Sequence, residues 1–234
     1  MSTGDSKTEH GLNSWVDYLR PDRTTIVFAT IVVTLLLHRF LRIENSADSD
    51  TRGFWILWGL RRFGVYTIIP ALSMHFLLRQ SLREHLFQRP SRADVAKYGA
   101  MLALMVPVVV VVSNFDDFQD KYPYFVARTG LREMWPWWIA YGLQFFGLEF
   151  FFRGFIVHGL KDIIGGRAAI AVMVLPYLMI HFGKPLLEAV GSVFAGLILG
   201  YLSLTKRSIW LGVAIHIGVA ITMDVASLAQ QGLL

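Results

Sequence analysis

Glu149 and Arg153 stand four residues apart in the stretch GLEFFFRGF, Gly147 to Phe155, inside a block of apolar side chains. Two histidines follow in later apolar blocks, His181 in YLMIHFGKP and His216 in GVAIHIGVAITMD. A carboxylate and two imidazoles can activate water for attack on an amide. The carboxylate takes the proton, and an imidazole orients the water or steadies the oxyanion. A charge at the centre of a membrane helix costs about 2.5–3.5 kcal/mol by insertion scales. Four-residue spacing puts Glu149 and Arg153 on one helical face, where pairing reduces that cost. Two readings of the pair stay open at this point. One is an ion pair that locks a helix bundle. The other is a carboxylate in an apolar pocket, held by Arg153 and suited to general-base work.

The remaining polar groups narrow the chemistry. Gln144, Glu188 and Asp224 also fall in apolar blocks. Glu188 follows Lys184 by four residues near a helix start, so a local pair is expected there. There is no HExxH, which argues against a zinc protease. There is no cysteine, which excludes disulfides, thiolate metal sites and cysteine nucleophiles. Ser192, in AVGSVF, is the one mid-helix serine beside a glycine, a weak signal for a nucleophile. Asp224 has no second intramembrane aspartate to pair with. No metal or organic cofactor is implied.

Positioning these groups requires membrane helices. Of 234 residues, 54% are hydrophobic and 17% charged, against roughly 45–50% and 25% in soluble domains. The excess lies in blocks, and the expected fold is all-α, a polytopic membrane bundle of about seven transmembrane helices, with six to eight as the range. The blocks are Thr24–Leu41, Phe63–Leu78, Tyr98–Ser113, Pro136–Leu160, Arg167–His181, Leu186–Leu204 and Ser208–Ala229. GFWILWGLRR precedes the second block as an interfacial stretch, and Ser91 with Asp94 is a loose capping box before the third. Residues 1–23 form a polar N-terminal segment without a cleavable signal, 24–234 a single membrane domain, and 136–229 its motif-bearing core. Gly196 and Gly200 make a small-residue packing face.

Loop charge sets the orientation. The net charge of +5 follows from basic loops and does not call for nucleic acid. Arg79, Arg83, Arg89, Arg92 and Lys97 crowd one loop, which is placed in the cytoplasm with Lys161, Arg167, Lys206 and Arg207. The acidic segment SNFDDFQDKYPYF falls outside. Arg61 and Arg62 fit this pattern less well. Trp135, Trp137, Trp138 and Trp210 sit at block ends, as an aromatic belt would.

The set resembles the CPBP family of intramembrane glutamic endopeptidases, which includes the CAAX prenyl endopeptidases and bacteriocin-processing proteins. That family carries EExxxR, then FxxxH, then HxxxN or a close variant. Here LEFFFRG supplies Glu149 and Arg153, YLMIH supplies Tyr177 and His181, and HIGVA supplies His216. The ordered set spans Gly147 to Asp224. Two positions depart from it. Leu148 replaces the glutamate that the family uses on water, and Ala220 replaces the asparagine thought to help hold the oxyanion. Asp224, one turn beyond Ala220, is a candidate substitute. The resemblance implies a metal-independent endopeptidase with Glu149, His181 and His216 as catalytic residues and Arg153 and Asp224 in support. It implies a membrane protein or peptide substrate within a lipid bilayer, with C-terminal sorting or processing signals as one substrate class. HFGKP, LTKRSIW and MD look like a bacterial branch, hence a multi-pass protein of the cell inner membrane. The rival readings are a non-catalytic scaffold or immunity protein that keeps the fold, and a membrane electron carrier with His181 and His216 as axial haem ligands.

Overall fold

The computed structural model describes residues 21–41, 52–81, 86–124 and 134–234. The N-terminal polar segment up to residue 20, Arg83, and the 125–133 part of the acidic loop lie outside these residues. The described chain is helical, with one isolated antiparallel bridge between Phe87 and Ser208. The helices are α1 Arg23–Phe40, α2 Arg52–Leu72, α3 Arg92–Val112, α4 Asp116–Gln119, α5 Met134–Glu149, α6 Val157–Ile164, α7 Gly166–Met179, α8 Leu186–Lys206 and α9 Trp210–Gln230. Two π-helical stretches interrupt them, Ser73–Leu77 after α2 and Phe150–Ile156 between α5 and α6.

Three boundaries have a clear local cause. Asp22 accepts from Thr25 N–H at 2.7 Å and caps α1. Ser91 and Asp94 form a full reciprocal capping box at the start of α3, where Asp94 also pairs with Lys206 at 2.7 Å. Gly165, at φ 83°, takes the left-handed turn that ends α6 and lets α7 fold back. All seven apolar blocks are helical. The stretch GFWILWGLRR is helical and forms the first part of α2. Its Trp55 and Trp58 pack with Tyr124 and Trp137.

The bundle is apolar on the outside. Phe28, Val32 and Leu36 on α1, Leu104 and Val111 on α3, and Leu187 and Phe194 on α8 are exposed. Helices α1, α3, α8 and α9 are long and apolar enough to cross a bilayer. The rod made of α5, the π-helical stretch and α6 runs through the middle, and every side chain from Gly147 to Leu160 is buried. Gly147 lets α2 approach, with a Cβ there meeting the Phe63 backbone at 3.1 Å. Gly196 and Gly200 of α8 seat Val174, Tyr177, Ile170 and Met173 of α7, the packing expected of them.

The two ends of the bundle carry different ties. At one end Gln88 N–H donates to Arg207 O and Ile209 N–H to Leu86 O. The Arg79–Lys97 loop and the Lys206–Arg207 turn thus share that end. At the other end Tyr122 O–H donates to Glu188 Oε2 at 2.7 Å, and Lys184 pairs with Glu188 Oε1 at 2.5 Å. The Tyr122 carbonyl accepts from Ser227 and from Gln231. Arg61 and Arg62, the residues that fitted loop charge poorly, turn inward. Arg62 donates to Gln144 Oε1 at 3.0 Å and lies 3.8 Å over the Trp58 ring, and Arg61 donates to the His38 carbonyl. Trp135 and Trp210 are exposed as belt residues would be, but Trp137 is fully buried.

Candidate active site

Helix α5 presents a row at four-residue steps: Trp137, Tyr141, Phe145, Glu149 and, in the π-helical stretch, Arg153. Such rows lie along one helical face. The first three are rings in mutual contact, Trp137 on Tyr141 at 4.4 Å and Tyr141 on Phe145 at 4.6 Å between centroids. Glu149 is the last residue of α5, at the point where the wider π-helical turns begin. Such turns are rare and occur often at functional sites. Glu149 is 1% exposed and Arg153 fully buried.

Glu149 Oε1 is the hub. Arg153 Nη1 lies 3.0 Å from it and His216 Nδ1, from α9, 2.9 Å. The two contacts meet the distance of an ion pair but not the alignment of a hydrogen bond, so they act through charge and proximity. Phe145 stacks on the His216 ring at 5.3 Å with 12° between planes. On its other side His216 Nε2 is 2.9 Å from the Tyr177 hydroxyl of α7. Tyr177 in turn carries the Arg153 guanidinium 3.9 Å over its ring. Glu149, His216, Tyr177 and Arg153 therefore close a ring of contacts between four elements, α5, the π-helical stretch, α7 and α9. His181 joins at the edge. Its Nδ1 bonds the Tyr177 carbonyl at 2.8 Å, and the two side-chain rings meet edge-on at 4.8 Å.

Helix α9 approaches this hub at a glycine. A Cβ on Gly212 would overlap Glu149 Oε2 and lie 3.0 Å from its Cδ. The carboxylate occupies the space that any side chain at 212 would need.

The motif residues Glu149, Arg153, His181 and His216 are thus brought together. Asp224 is held elsewhere. Its Oδ2 accepts from the indole N–H groups of Trp137 at 3.1 Å and Trp138 at 2.9 Å, two turns along α9 from His216. Ala220 packs beside it against Met134, Trp137 and Tyr141. Leu148 is 5% exposed and belongs to the apolar cluster of Phe150, Phe152 and Tyr177. Tyr177 and Gly212 are the residues that the sequence did not single out for a role. For Tyr177 the available signal was its hydroxyl, in a motif place that asks only for an aromatic ring. For Gly212 there was none, because the contact comes from another helix.

Comparison with family models matches residues 130–222 to "Type II CAAX prenyl endopeptidase Rce1-like". The match covers α5 to most of α9, the part that builds the contact ring, and supports the CPBP/CAAX protease family. No curated protein and no solved structure matches the chain.

Proposed function

We propose, on the premise that residues 130–222 share the Rce1-like CAAX prenyl endopeptidase family model, that this membrane protein is an intramembrane glutamic endopeptidase. The observation that carries the reading is the buried convergence of Glu149 Oε1 and His216 Nδ1 at 2.9 Å, with His181 alongside. Glu149 Oε1 is already loaded by Arg153 and His216, so Oε2 is the oxygen left to take a proton from water. The hydroxide attacks the scissile carbonyl carbon, the C–N bond breaks, and the proton passes to the leaving amine. His181 Nδ1 is tied to the last turn of α7, which leaves Nε2 to face water or the oxyanion. His216 supports the tetrahedral intermediate, and Arg153 holds Glu149. The substrate would be a membrane-associated protein or peptide, with C-terminal processing signals as the first class to search, in the inner membrane of a bacterium.

A second reading, a non-catalytic member that binds without cutting, is favoured by one observation. Leu148 stands in the place of the family's water-activating glutamate and is packed among phenylalanines. One experiment separates the two. The C-termini of membrane proteins are compared between cells holding the wild type and cells holding folded Glu149→Gln. Termini that change with the substitution support proteolysis. Identical termini, with the protein still capturing the same partners, favour binding.

A further inference from the structure

We infer that Tyr177 is a positioning residue for His216: its hydroxyl fixes the imidazole with Nδ1 on Glu149. The inference rests on the endopeptidase reading for its consequence in turnover, and on geometry alone for the contact itself.

The His216 ring has two ways to sit about its Cβ–Cγ bond, and the choice is set by what its two nitrogens meet. Here Nδ1 meets Glu149 Oε1 at 2.9 Å and Nε2 meets the Tyr177 hydroxyl at 2.9 Å. A flipped ring would lose both contacts and put carbon where nitrogen is needed. Phe145, stacked on the flat face, holds the plane but cannot choose between the two flips, since its ring makes no hydrogen bond. The contact to Glu149 is poorly aligned, which leaves the hydroxyl as the better-directed of the two. The hydroxyl serves whether it donates to a bare Nε2 or accepts from Nε2–H.

Tyr177 is itself held by more than its hydroxyl. Its ring lies under Arg153 at 3.9 Å, meets Phe152 at 5.2 Å and His181 at 4.8 Å, and fills the gap above Gly196. A phenylalanine keeps all of these and removes only the O–H. The substitution therefore tests the hydroxyl with the ring packing intact. It also restores the residue type of the FxxxH pattern. Leu148 and Ala220 each take a polar group out of the motif set, whereas Tyr177 adds one.

The test uses full-length protein in detergent micelles with ¹⁵N-labelled histidine. His216 ring signals are assigned by their loss in His216→Ala. In Tyr177→Phe we expect those signals to shift or to split into two ring states, while the midpoint of thermal unfolding stays within a few degrees of wild type. On a substrate cleaved by the wild type, we expect kcat to fall about 10- to 100-fold with KM little changed, the range of one lost hydrogen bond to a charged or reacting group. Tyr177→Leu, which also removes the ring from Arg153, should lower the unfolding midpoint clearly. Unshifted His216 signals in folded Tyr177→Phe overturn the inference, whatever the activity. Shifted signals with unchanged kcat overturn its catalytic consequence while the contact stands. A wild type that cleaves nothing counts against the endopeptidase reading and leaves the ring signals to decide the contact.

Discussion

Gly212 and Glu149 share one space, since a methyl group on the glycine would overlap the carboxylate and lie 3.0 Å from its Cδ. Gly212→Ala should therefore displace the carboxylate and reduce cleavage more than 10-fold. Overpacking typically costs about 1–3 kcal/mol, partly offset by the roughly 1 kcal/mol that alanine gains over glycine in a helix. Gly99 and Gly191 are helical glycines with open space around them. Gly99→Ala and Gly191→Ala should keep full activity and melt no lower than the wild type. Equal activity in all three variants, by a peptide-release assay, would refute the role of Gly212.

Arg153 should matter to stability as well as to turnover. It is fully buried, between the Glu149 carboxylate and the Tyr177 ring. Breaking a buried pair by removing one partner costs about 3–5 kcal/mol. Arg153→Ala should lower the unfolding midpoint in detergent, and Glu149→Gln in the same chain should recover part of the loss. The pairing is wrong if single and double variants melt with the wild type.

The two histidines should separate. His216→Ala leaves the Tyr177 hydroxyl and Glu149 Oε1 each short of a buried partner, at about 1–3 kcal/mol per unsatisfied group. His181 is 9% exposed, and its side chain bonds only the end of the preceding helix α7 among the described contacts. Both substitutions should abolish cleavage, but only His216→Ala should cost much stability. Paired calorimetry and peptide release on the two variants decide it.

Much of the fold was legible because its signal is long-range composition. Seven apolar blocks became helices, and Ser91 with Asp94 marked a start correctly. The beginning of α2 was not legible, because Arg61 and Arg62 read as charges that end a span. Their solvation by Gln144, the His38 carbonyl and the Trp58 ring comes from other turns and other helices. The site was legible to the same degree. Spacing brought Glu149 and Arg153 onto one face, and motif order pointed to His181 and His216. Spacing along α9 also offered Asp224, but could not show the two α5 indoles that hold it. Nor could it show that Tyr177 reaches His216, a contact 39 residues apart in the chain.

The two tied ends say which loops share a side of the bundle, and loop charge proposes which side is cytoplasmic. We expect Arg79 and Arg207 in the cytoplasm and Asp117 and Lys121 outside. The chain has no cysteine, so single cysteines at these positions can be labelled from one face of intact cells. Labelling of position 117 from the cytoplasmic face alone would reverse the assignment.

The π-helical stretch from Phe150 to Ile156 also has a consequence for how this chain tolerates length changes. Each residue added to or removed from a helix turns everything beyond it by about 100°. Glu149 precedes the stretch, whereas Asp162, which meets Arg23 of α1 at 3.5 Å, follows it. The stretch thus works as a phase shifter between two contact surfaces of one continuous rod. Losing a single residue there would leave the carboxylate facing α9 while rotating Asp162 out of register with α1. In the described part of this rod, length between 149 and 162 is as constrained as residue identity, and related chains should vary there by substitution and not by insertion or deletion.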